Sequence, residues 1–328
     1  MILFWTGVLT ISTLLYVLLD GFDLGVGILF GLTNDSARRQ SMIGAVSPIW
    51  DGNETWLVVT GVILWGAFPL VYSTLLSAFY LPLLIMLCGL ILRGVAFEFR
   101  NKATRMRWLW DASFAGGSLV AAFVQGLTVG ALVEGVPVVN GQYTGGDLGW
   151  LSPFAVICGV GLCVGYTLLG ACWLIRKCEG MVRETAYRQT PYLSVGLLAF
   201  LIIVFAYALA EDLPVMARWL ERPYLFAFPT IGVAAAISLA ISVRRRQDGP
   251  PFYMVALIFA AAFGTLAISF WPYMIPFSIT IDAAAAPHSS LAFMFWGAGL
   301  FVFPLMLVYT TVSLTVFRGK ATVTAHHY

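Results

Sequence analysis

Nine long apolar runs take up most of the chain, and they constrain its fold more than any single motif does. They cover residues 4–31, 50–69, 73–98, 108–133, 150–175, 190–210, 224–243, 251–272 and 288–317. Each reaches the roughly 20 residues that a helix needs to cross a bilayer. Inside hydrocarbon every backbone N–H and C=O must be satisfied by the fold itself, which leaves helices or a closed barrel. The runs are continuous rather than alternating, so they read as helices and not as barrel strands. The expected fold class is an all-α polytopic membrane protein with nine transmembrane helices. Charged residues make up only 10% of the chain, against about 25% in a soluble domain. That excludes soluble, disordered and fibrous classes. A net charge of +2 with no basic stripe excludes a nucleic-acid partner.

The connections between the runs fix an orientation. Fifteen of the 18 basic residues fall in alternate connections: 32–49, 99–107, 176–189, 244–250 and the tail after 317. The other connections hold only Arg218 and Arg222, and Arg93 lies within a run. Basic loops mark the cytoplasm, so the N-terminus is expected outside and the C-terminus inside. The opening MILFWTG has no Lys or Arg before its apolar run, so it reads as a first spanning helix rather than a signal peptide. The Gly-rich loop 134–149 divides the chain. The expected organisation is a first four-helix bundle over 1–133, the outer loop 134–149, a second four-helix bundle over 150–272, and a ninth helix with a cytoplasmic tail over 273–328.

Ionisable groups are expensive in a bilayer and mark function by default. The last five runs contain no Asp, Glu, Lys or Arg. The first four contain or adjoin Asp20, Asp23, Asp51, Glu54, Arg93, Glu98 and Asp111. By the expected topology all seven converge on the cytoplasmic half. Asp20 and Asp23 share a helix face, as do Asp51 and Glu54. Neighbouring acids in low dielectric cannot all ionise cheaply, so some hold protons, which suits a relay. Asp51, Glu54, Asp20 and Asp23 are therefore candidate proton-path residues. Arg93 is their natural counter-charge, in a structural charge network with Glu98 and Asp111. Two plainer roles compete: Asp51 as a helix N-cap, and Glu98 as an interfacial partner of Arg100. Gly21, Gly25, Gly27 and Gly31 form GxxxG pairs suited to close helix packing. The sequon Asn53-Glu54-Thr55 lies at the inner surface and reads as chance. No metal site is expected. The five Cys form no CxxC pair, and the three His are His288, His326 and His327, too few for this chain to hold several haems.

Specific motifs sharpen the reading. DGFDLGVG at 20–27, PIWDGNETWLV at 48–58 and RGVAFEFR at 93–100 resemble subunit II of the cytochrome bd-type quinol oxidases. WLWDASF at 108–114, EGVP and YTG within 134–146 and FPLMLVYT at 303–310 extend the likeness over essentially the whole chain. Its length and short outer loops look like the cyanide-insensitive branch. The resemblance implies a heterodimer of related nine-helix subunits in the bacterial cytoplasmic membrane. That complex oxidises quinol and reduces dioxygen to water, with protons taken from the cytoplasm. It implies two haems b and one haem d, ligated by subunit I, and a chain here that is not catalytic alone but stabilises its partner and shapes the proton route. A bound structural quinone and a small single-helix subunit are further components that it suggests. Asp51 stands where the family's WD motif places its proton-path acid. The chain departs from the pattern in carrying Glu54 where some relatives are uncharged. Two other readings compete: a proton-coupled secondary transporter, which also buries acids, and a purely structural scaffold. The transporter would be expected to share its site between related halves, yet the second half has no charge to share.

Overall fold

A computed structural model of the chain describes residues 1–103, 105–211, 219 and 222–321. Arg218, His326 and His327 lie outside the described residues. Helix α1 (Ile2–Gly31) leads through a surface helix α2 (Ser36–Val46) to α3 (Trp50–Ala67), α4 (Pro69–Ala78), α5 (Tyr80–Phe99) and α6 (Arg107–Glu134). A hairpin of β1 (Val138–Val139) and β2 (Gln142–Tyr143) precedes α7 (Pro153–Lys177) and α8 (Gly180–Ala210). Then come α9 (Ala227–Arg244), α10 (Pro250–Phe270), a second hairpin of β3 (Tyr273–Ile275) and β4 (Ile279–Thr280), and the short α11 (Ile281–Ala284). Helices α12 (His288–Met294) and α13 (Val302–Val316) flank a π turn at Phe295–Gly299 and close the described fold.

Among the described residues, eight helical segments are long and apolar enough to cross a membrane, and α3 with α4 makes a ninth if that bent pair counts as one. The bend corrects the expected third run. Residues 73–78 belong to α4, which turns 119° away from α3. Pro69 has no N–H to continue α3 and pushes the preceding residue out of helical geometry; Phe68 sits at φ −135°, ψ 60°. Helix α2 also arises within a segment expected only as a loop. Asp35 caps it, its Oδ1 accepting from the backbone N–H of Ala37 at 2.9 Å and of Arg38 at 3.2 Å. The first hairpin turns through Asn140 (φ 50°) and Gly141 (φ 77°), the two left-handed positions that a two-residue turn demands.

Helix α1 packs against α3, α6 and α7. Its glycines serve two neighbours. Gly25 meets α7 backbone to backbone, and a Cβ built on Gly170 would lie 2.5 Å from the Gly25 carbonyl carbon. Gly27 meets Ser118 of α6. All five basic connections gather at one end of the molecule. Asp111 joins Arg39 to Arg100, the Trp173 indole donates to the Ala45 carbonyl at 3.0 Å, and Lys320 reaches Asp248 at 2.8 Å. At the other end the Trp5 indole donates to the Leu291 carbonyl at 3.1 Å, and Thr74 of α4 donates to the Gly141 carbonyl at 2.8 Å.

Candidate functional site

Along α1, Ser12, Tyr16, Asp20 and Asp23 follow at helical spacing and share one face. That face turns inward. Asp20 is 0% exposed and Asp23 1%. Two helices answer the acids. From α5, the Arg93 guanidinium, also 0% exposed, pairs with Asp20 at 2.7 Å between Nη2 and Oδ1. From α3, Asn53 donates from Nδ2 to Asp23 Oδ2 at 2.8 Å. Glu54, next to Asn53 on α3, brings its Oε2 to 3.9 Å from the same Arg93 Nη2 and keeps 24% of its side chain exposed. Three carboxyl groups thus gather around one guanidinium, each from a sequence position that the charge distribution had marked. Asp20 Oδ2, Asp23 Oδ1, Arg93 Nε and Nη1 and Ser12 Oγ are buried without a hydrogen-bond partner among the described residues. Buried polar atoms of this kind commonly bind internal water.

Asp51 is exposed in the first turn of α3. It is not the cap of that helix: the N-cap position is Ile49, and no side chain caps it. Exposure therefore falls stepwise from Asp51 through Glu54 to Asp20 and Asp23. That is a gradient from solvent-accessible to fully buried acids over two adjacent helices.

The expected network of Arg93, Glu98 and Asp111 does not form as one unit. Asp111 opens α6 and belongs to a second group. Its Oδ2 pairs with Arg39 at 2.8 Å, its Oδ1 pairs with Arg100, and Arg100 donates to Gln40 at 2.9 Å. The Phe30 ring lies 4.9 Å from the Arg39 guanidinium and 5.2 Å from that of Arg100. Glu98 is exposed and joins neither group, and it makes no ion pair among the described residues, so the expected Glu98–Arg100 pair is replaced by Asp111–Arg100.

Several participants carried no charge signal. Asn53 is neutral, yet it holds Asp23. Deeper along α1, Tyr16 accepts from Gln125 Nε2 at 2.7 Å, and Tyr166 donates to Gln125 Oε1 at 2.9 Å; the position of Tyr16, one turn before Asp20, was the available signal. At the basic end, Asp248 accepts from Arg183 at 2.9 Å, from Tyr187 at 2.9 Å and from Lys320 at 2.8 Å. Burial alone would push the Asp248 carboxyl up, but these three donors outweigh it and hold it down at about 2. No group of three or more His, Cys, Asp or Glu is placed to hold a metal among the described residues.

Comparison with known proteins gives a consistent picture. Residues 1–317 match the family described as cytochrome bd terminal oxidase subunit II. The chain is 31% identical to the cytochrome bd-I ubiquinol oxidase subunit 2 of Escherichia coli K12, over 96% of its own length and 93% of that protein. It is 29% identical to a probable cytochrome oxidase subunit 2 of Haemophilus influenzae, over 90% and 86% of the two chains. Its fold superposes on a chain of the bd oxidase from Geobacillus thermodenitrificans with a TM-score of 0.78, at 15% identity and 96% coverage of each.

Proposed function

The chain belongs to the cytochrome bd terminal oxidase subunit II family, and on that premise we propose that its buried acids carry protons into the oxidase complex. The protein is a multi-pass bacterial membrane protein and a subunit of a terminal quinol oxidase, which contains haem and is completed by subunit I. Family membership removes the transporter alternative.

The observation that carries the proton reading is the exposure gradient on α3 and α1. Asp51 takes a proton at the accessible start of α3. Glu54 lies one turn on, partly exposed, and faces Arg93. Arg93 keeps the charge of the cluster tolerable in low dielectric, because an unpaired carboxylate there costs several kcal/mol. Asp20 and Asp23 form the buried end. The positive-inside rule, applied to the basic loops, supports a cytoplasmic side for this route.

The family resemblance implies two haems b and one haem d ligated by subunit I, and we carry that assignment over to this complex. The scarcity of histidine here supports it: the one histidine among the described residues is His288, beside Ile2 and Ala286 at the end away from the basic loops. This chain supports that partner and supplies protons. The compact outer loops favour the cyanide-insensitive branch, and a structural quinone and a small single-helix subunit complete the proposed assembly.

Asp51→Asn tests the route. It preserves shape and hydrogen bonding but removes titration. Oxygen consumption of the purified complex, normalised to haem, is expected to fall while haem content stays at the parental level. Parental turnover in that variant would move the proton path elsewhere.

A further inference from the structure

The FPLMLVYT motif has no part in the acid cluster, yet its end sits directly on the helix that carries the route's first acids. The Trp56 indole, 0% exposed, donates to Thr310 Oγ1 at 3.1 Å. Phe303, which opens the motif, lies edge-on to Trp56 at 6.1 Å. One turn before Trp56, Gly52 faces the Tyr309 ring so closely that a Cβ there would come 2.9 Å from Tyr309 Cε1. Gly52 and Trp56 thus mark the face of α3 that α13 grips. The faces beside it carry Asn53 to Asp23 and Glu54 to Arg93.

α3 packs mainly on α1, and these side-chain contacts with α13 add a restraint on its rotation about its own axis. Side-chain atoms lie roughly 5–6 Å from a helix axis, so a rotation of about 20° displaces them by about 2 Å. That is enough to break the 2.8 Å bond between Asn53 and Asp23. The Trp56–Thr310 bond is buried, directional and joins residues 254 apart in sequence, so it adds to the hold that the Asn53–Asp23 bond has on α3 from the α1 side.

We propose that Thr310 and Tyr309 are positioning residues for proton uptake: they fix the rotation of α3 so that Asn53 meets Asp23 and Glu54 meets Arg93. The proposal rests on the proton reading of the acid cluster.

Thr310→Val in the intact complex keeps the shape of the side chain and removes the acceptor, and Thr310→Ser restores an acceptor. Haem content is expected to match the parent in both. Thr310→Val should lower turnover per haem several-fold at saturating quinol with KM for quinol unchanged, and should shift the pH profile of turnover. Thr310→Ser should behave as the parent. A merely structural contact would lower yield without moving the pH profile. Parental turnover per haem and pH profile in Thr310→Val overturn the proposal. Should Thr310→Val fail to assemble, Tyr309→Ala, at a ring that is 52% exposed, carries the same test with the same overturning result. A slowed Asp51→Asn beside a parental Thr310→Val sinks the positioning role and leaves the proton reading standing. A parental Asp51→Asn sinks the proton reading and this proposal with it.

Discussion

Replacing Arg93 by Met should be the most damaging single change in the first half of the chain. The guanidinium is 0% exposed and lies 2.7 Å from an equally buried Asp20, with Glu54 at 3.9 Å. Met keeps most of the volume, so the loss is one of charge rather than of packing. Removing one partner of a buried pair costs about 3–5 kcal/mol, because the other charge is stranded. Neutralising the acid as well should recover much of the loss, since replacing both members of a buried pair is often near neutral. The assay is thermal unfolding of the purified complex at matched detergent and lipid, for Arg93→Met, Asp20→Asn and the double variant. The expected pattern is a large drop for Arg93→Met and a double variant more stable than Arg93→Met alone. A double variant no more stable than Arg93→Met would show that the pair is not coupled and that the reasoning fails.

Two further outcomes are expected. Asp111→Asn should destabilise the complex by about 2 kcal/mol, the scale of a hydrogen bond to a charged group. It should leave turnover per haem unchanged, because Asp111 pairs with Arg39 and Arg100 and not with the acid cluster; slowed quinol oxidation at parental haem content would place it on the route. Asp248→Asn should lower the unfolding midpoint at neutral pH. The Asp248 carboxyl is held at about 2 in the folded protein, below its ordinary value near ~4. Its stabilisation is therefore complete above that ordinary value and is lost as pH falls toward about 2. The gap between parent and variant should stay constant from neutral pH down to mildly acid pH and narrow only below that; a gap that shrinks at mildly acid pH would refute the assignment.

Arg93 and Asp20 were legible in the sequence because a cation within an apolar run must find an acid, and the DGFD motif offers acids at a matching depth. Depth alone does not fix which way a side chain faces. Glu98 shares a depth with the cluster but lies five residues past Arg93, about 140° further round α5, and so points away. Asp111 was grouped with Arg93 for the same reason, while its true partners required α2, which brings Arg39 and Gln40 to the end of α6. Asn53 was invisible to a search for charge. The bend after α3 was hidden because apolar residues continue on both sides of Pro69 and hydropathy does not register direction. The helical class and the apolar runs were legible because hydrocarbon permits few alternatives.

The separation of the two charge groups bears on where protons enter in the proposed route. Asp23 and Asp111 both lie toward the basic end, and a path straight along α1 would join them. Four aromatic rings, from α1, α6, α5 and α3, pack in a row near these helices. Phe30 meets Phe114 at 5.0 Å, Phe114 meets Phe97 at 4.9 Å, and Phe97 stacks on Trp50 at 4.7 Å. Phe30 is 0% exposed and Phe114 1%. Gly27 lets α6 close against α1 at Ser118. These rings offer no group that takes up and releases a proton. The approach of the proposed route is along α3, where Asp51 is exposed and Glu54 is partly so. Trp50 is both the last ring of the row and the residue before Asp51. On the proposed proton reading, the WD pair sets its indole in this row of rings and its exposed carboxyl at the start of α3, which serves as the mouth of the proposed route.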